Sequence, residues 1–146
     1  MAGVLLSCGG GSGGGNSDGG GGDGGGAGNS VQVMFTTTGA IVGNWSYESS
    51  LNLLCRANEL DMSVKNATTT DAGDTHSSIT ISGNGSFTYR SNTVPGGVKG
   101  MASGGATVAS DYKKVDWKVT FSNTSASDMK GNNVTLNGSI TATCIL

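Results

Sequence analysis

Tyr112-Lys113-Lys114-Val115-Asp116-Trp117-Lys118-Val119-Thr120-Phe121 alternates without a break from residue 114 onward. Val115, Trp117, Val119 and Phe121 share one face, and Lys114, Asp116, Lys118 and Thr120 share the other. A period of two is the signature of a strand with one face buried, because successive side chains point to opposite sides of the pleat. This stretch predicts a strand over 112–121, and the same pattern recurs on both sides of it.

Working outward, Val134, Leu136, Ile140, Ala142 and Cys144 alternate with Thr135, Asn137, Ser139, Thr141 and Thr143. Upstream, Ile79 and Ile81 lead through Gly83-Asn84-Gly85 to Phe87 and Tyr89. Asn-Gly between two alternating runs is the strongest short-range hairpin signal, since both turn positions favour a positive φ. Leu60, Met62 and Val64 form another alternating set, as do Leu51, Leu53 and Cys55, although Leu54 interrupts the latter. Val31, Val33 and Phe35 open the series. Ser49–Leu60 fits a short helix or a strand equally well. The fold class predicted is all-β: a single antiparallel β-barrel or β-sandwich of about seven or eight strands.

Three segments divide the chain: residues 1–8, 9–30 and 31–146. Fifteen of the 27 glycines lie within the first 30 residues, and Gly9–Ser30 adds only Ser, Asn, Asp and one Ala. Such a stretch buries nothing that would offset the entropy of ordering it, so a disordered linker is expected. A flexible coil of that length spans roughly 26 Å. The body from Val31 balances eight basic against eight acidic residues, which argues against a nucleic-acid partner needing a basic face. No apolar run is long enough for a membrane-spanning helix.

Leu5-Leu6-Ser7-Cys8, with glycines directly behind it, resembles a bacterial lipobox. In lipoproteins bearing that motif the cysteine becomes the mature N-terminus and carries the lipid. The resemblance implies that residues 1–8 are a signal-peptide remnant and lipobox and that Cys8 is the lipidation site. It further implies an exported domain anchored at the bacterial cell envelope, with the outer membrane as the expected address. Met1–Ser7 holds no Lys or Arg and is shorter than a signal peptide's apolar region, so the leader is expected to begin upstream. With Cys8 assigned to the lipid, Cys55 and Cys144 are left as an even pair in an exported chain. Both fall on apolar faces of their strands, and a disulfide bond between them is expected. Closing a loop of about 90 residues is worth about 4 kcal/mol on the chain-entropy account.

Gly43-Asn44-Trp45 and the hairpin Ile79–Arg90 resemble small lipocalin-like β-barrel lipoproteins. In those barrels the Trp packs across the closed end. The resemblance covers about 50 of the 146 residues and implies an apolar ligand cavity.

Catalytic patterning is sparse. His76 is the single histidine, so any Ser-His-Asp arrangement must use it. Its neighbours Asp71, Asp74, Thr75, Ser77 and Ser78 read as a solvated loop, and Glu48 and Glu59 as surface charges. No enzyme activity, metal or cofactor is expected. The function expected is a non-catalytic, membrane-anchored lipoprotein displaying a small β-domain for binding or structural interaction; the alternative is a lipocalin-like carrier of a small apolar ligand. The membrane is then a partner through the lipid anchor, beside an unknown protein or a small apolar ligand. Ala67–Ser77 and Asn92–Ser110 are the longest stretches without strand periodicity, and long loops in compact domains are usually functional or disordered. Contacts to a ligand or partner are expected from Trp45, Val94, Val98, Met101 and Trp117, with Val94, Val98 and Met101 exposed on the second loop.

Overall fold

The computed structural model describes residues 21–22 (main chain), 29–49, 53–67, 76–91, 94 and 96–146. Cys8 and the lipobox lie outside the described residues, as do all of 9–30 except 21, 22, 29 and 30. The described elements are strands throughout: β1 Gly21–Gly22, β2 Ser30–Gly39, β3 Gly43–Tyr47, β4 Leu53–Cys55, β5 Glu59–Asn66, β6 His76–Ser82, β7 Ser86–Ser91, β8 Val98–Met101, β9 Ser103–Val108, β10 Lys114–Ser127 and β11 Asn133–Ile145.

Every pairing is antiparallel, and the order runs β2-β11-β10-β8-β7-β6-β5-β3, with β3 pairing back to β2. That closes an eight-stave barrel. β4 continues the β3 stave along β5, and β9 continues the β8 stave along β10. The result is a barrel rather than a sandwich, and an up-and-down meander in which each stave pairs with the next. Among the described residues closure gives each of the eight staves a ladder partner on both sides for at least part of its length.

Alternation predicted the inward faces well. Val115, Trp117, Val119 and Phe121 are all buried, as are Val134, Leu136, Ile140, Ala142 and Cys144. The parity of β10 switches after Phe121, because three steps along β10 match two along β11 between the Phe121–Gly138 and Thr124–Leu136 pairs. Asn123 takes up this bulge with φ 46°, its N–H donating to Asn137 Oδ1 at 2.7 Å. One extra residue turns the strand so that Ala126 again points inward.

The Asn-Gly hairpin forms where expected. Gly85 has φ 90°, and Asn84 Oδ1 accepts from the Ser86 N–H and hydroxyl at 3.0 and 2.9 Å. Ser49–Leu60 contains the strand β4 and the start of β5, so its helical reading is corrected for the described part.

Asn92–Ser110 is also corrected: most of it is β8 and β9 rather than loop. Its glycines hide the pattern because they sit where backbones and rings press together. The Phe87 ring lies over Gly100, with which it pairs, and a Cβ there would come within 2.7 Å of the ring. At Gly104, φ is 91° and a Cβ would collide with the Lys118 carbonyl. No side chain fits either place, so no alternation can be written there.

Inside the barrel the aromatic rings form one file. Trp45 meets Tyr89 at 5.8 Å, Tyr89 meets Phe35 at 6.3 Å, Phe35 meets Phe121 at 5.5 Å, and Phe121 meets Phe87 edge-on at 5.2 Å. Offset and edge-on contacts of this kind favour the ring quadrupoles. Eight staves leave an interior just wide enough for such side chains to fill.

The barrel has two rims. The chain joins it at the near rim, where Ile145 N donates to Asn29 Oδ1 at 2.8 Å and the turns at 56–58, 83–85 and 109–113 lie. The far rim holds the turns at 40–42 and 128–132.

Candidate functional site

The seam between β2 and β3 is the least regular part of the wall. Only Phe35–Trp45, Thr36–Asn44 and Thr37–Gly43 pair across it. Toward the near rim β3 leaves β2 to follow β5, and Gly21–Gly22 instead pairs with Val31 and Gln32. These two glycines fall in the stretch expected to be linker throughout. Still nearer the rim, Cys55 and Cys144 form the expected disulfide bond, with Cα atoms 5.9 Å apart. Continuing the β2–β11 register past Ser30–Thr143 puts Cys144 level with Asn29, so the bond crosses the seam where β2 begins. A covalent link stands where ladder hydrogen bonds are missing.

Beside the last rung of this seam an open cleft of about 500 Å3 lies on the outer wall. Met34 is its exposed apolar floor, and Thr36, Asn44, Ser46, Ala67 and Asn137 surround it. Met34 is 58% exposed, the one large apolar side chain among the outward positions Gln32, Met34, Thr36 and Thr38. That break in an otherwise polar face was readable from the sequence and was missed.

Trp45 belongs to the core beneath the cleft rather than to a free surface, being 2% exposed. Its Nε1–H donates to the buried Thr37 hydroxyl at 2.8 Å. Gly43 is required by this packing, since a Cβ there would lie 2.9 Å from the indole and 2.6 Å from Asn66 Nδ2. Trp117 is buried at the opposite end of the interior, with its Nε1–H donating to the Arg56 carbonyl at 3.0 Å. Trp45 and Trp117 therefore do not gather into one pocket.

Val94 and Val98 are buried, so the expectation that they are exposed is corrected; Met101 alone of the three is exposed. Parity explains it: Val98 pairs with the inward Tyr89, and Met101 pairs with Ser86.

His76 heads β6 instead of lying in a loop, and its Nδ1 is 2.8 Å from Glu48 Oε2. The Glu48 side chain is only 12% exposed, so it is a partnered group rather than a free surface charge. Asp71, Asp74 and Thr75 lie outside the described residues. No cluster of three or more His, Cys, Asp or Glu side chains gathers among the described residues.

Most inner polar groups have structural partners. The Tyr89 hydroxyl donates to Ser77 Oγ at 2.8 Å. Tyr47 differs: its hydroxyl is the one buried side-chain polar atom without a partner among the described residues, and burial raises the phenol above its ordinary pKa. Such a group is costly to leave unpaired. The arrangement offers apolar and amide-bearing surface for binding.

Comparison with protein-family models, with curated proteins and with solved structures found no match for this chain.

Proposed function

We propose that the chain is a non-catalytic, lipid-anchored protein of the bacterial cell envelope, tethered through Cys8 and displaying its barrel for binding or structural interaction. The observation that carries this reading is the use to which the interior is put. Rings and branched side chains line it in contact with one another, and the inner donors of Trp45, Tyr89 and Trp117 bond to groups of the wall itself. Recognition is then left to the outer surface, where the Met34 cleft offers an apolar concavity. The test is mass spectrometry of protein taken from its native membrane. A diacylglyceryl-modified N-terminal Cys8 is expected; an unmodified chain running through Met1 overturns the reading.

The unpaired Tyr47 hydroxyl favours a second reading, a lipocalin-like carrier that receives a small apolar ligand with one polar atom. Titration with the apolar dye N-phenylnaphthylamine separates the two. Saturable one-to-one binding that weakens in Tyr47→Phe supports the carrier; no uptake by the oxidised protein supports the filled barrel.

A further inference from the structure

We propose that the near rim of the barrel rests on the bilayer, with Tyr112, Ile145 and Leu146 dipping into its interface. This deepens the envelope reading above and rests on it. Tyr112 is 78% exposed at the tip of the β9–β10 turn, while Ile145 and Leu146 are 50% and 52% exposed on the adjoining strand. They form one sector of the rim: Ile145 pairs with Lys114, and Leu146 N donates to the Lys113 carbonyl at 2.9 Å. Tyr112 holds φ 57°, a conformation that costs energy in any residue but glycine. The turn around it is nevertheless fixed, with Tyr112 N donating to the Ala109 carbonyl at 2.9 Å and Lys113 N to Asp111 Oδ1 at 3.1 Å. A strained backbone thus holds a large amphipathic ring out into solvent.

Where the chain enters the barrel selects a bilayer as the occupant. Asn29 stands at this same rim, bonded to Ile145. The span expected of Gly9–Gly20, ahead of the paired Gly21–Gly22, is roughly 19 Å and brings this rim to a membrane holding Cys8, whereas the far rim stands a further barrel length away, roughly 30 Å. Tyrosine with aliphatic neighbours suits the headgroup boundary, where the ring is buried and the hydroxyl stays wet. Charge does not drive the contact. Lys113 and Lys114 are balanced by Asp111 and Asp116, and Lys114 Nζ lies 3.0 Å from Asp116 Oδ2. Attachment is therefore expected on neutral and anionic lipid alike.

The test uses the full, unacylated chain with the Cys55–Cys144 bridge formed. Cys8, the one cysteine outside the bridge, is coupled to maleimide-bearing phosphatidylethanolamine in phosphatidylcholine vesicles. Tyr112→Trp and, on the far rim, Met129→Trp report position; Met129 is fully exposed, so neither change disturbs the core. In vesicles of brominated phosphatidylcholine the emission that residue 112 adds to that of the buried Trp45 and Trp117 should shift to the blue and be quenched, the emission that residue 129 adds should not, and Ile145→Ser should weaken the quenching. Adding phosphatidylglycerol or salt should change little. Quenching at residue 129 instead, at neither position, or only with phosphatidylglycerol at low salt overturns the proposal. Because coupling supplies the anchor whether or not the cell acylates Cys8, this result stands apart from the mass-spectrometric test of the anchor itself.

Discussion

Twelve rungs join β10 to β11, whereas three join β2 to β3. Both are walls of one barrel, and both bury apolar faces. The first is held by a ladder interrupted once, at the Asn123 bulge. The second is completed by three unlike devices in sequence: a short ladder, the Gly21–Gly22 pairing and the Cys55–Cys144 bond. Closing a barrel does not require uniform hydrogen bonding around its girth. A local deficit is tolerated if other constraints hold the strands in register.

The comparison can be broken most forcefully from the regular side. Trp117→Ala removes the largest fully buried side chain and orphans the Arg56 carbonyl, and should cost about 4–5 kcal/mol in denaturant unfolding. An effect below about 1 kcal/mol would mean that the interior repacks freely. Reducing the disulfide, or Cys144→Ala, should cost about 4 kcal/mol. Amide exchange in the reduced protein should then accelerate first along β2 and β3 and last along β10 and β11, because opening is easiest where main-chain bonds are fewest. Uniform acceleration would show that the bond constrains the whole barrel rather than the seam.

Thr37→Val keeps the shape of the seam's last rung but strips the Trp45 indole of its acceptor. About 1–3 kcal/mol should be lost, with a change in indole emission. The smallest effect concerns acid. Asp128 is held below the usual carboxylate range by the Asn132 side chain and by main-chain N–H groups of Asn132 and Lys130. Asp116 is held down by the Thr143 hydroxyl and then by Lys114. A lowered folded-state pKa means stability that is present above the unfolded value, about 4, and lost as pH falls through the folded one. Asp128→Asn should lower stability slightly at neutral pH and flatten its fall below about pH 4, so that variant and parent converge in acid.

The same contrast governs how much could be read in advance. β10 and β11 declare themselves because one face meets the core and the other meets water at every step. β8 and β9 do not, since Gly100, Gly104 and Gly105 sit where a ring or a carbonyl occupies the space of a side chain. The Cys55–Cys144 bond was legible from inward parity. The Glu48–His76 pair was not: 28 residues separate them, and only the β3-β5-β6 order brings them together. Of the candidate contact residues, Trp45, Val94, Val98 and Trp117 proved to be interior, because apolarity marks the core as readily as a binding surface.

The disulfide has a mechanical consequence. Cys55 and Cys144 lie 89 positions apart, and the chain between them carries every stave from β5 to β10 together with nearly all of β11. With the bond formed, that span is a covalent ring, and of the eight staves only those of β2 and β3 lie outside it, with the short β1 and the start of β4. Tension applied through residues ahead of Ser30 would reach those two staves first. They can peel away while the ring stays linked end to end, so a load that strips the first hairpin leaves the remaining staves tethered in order, ready to receive it again.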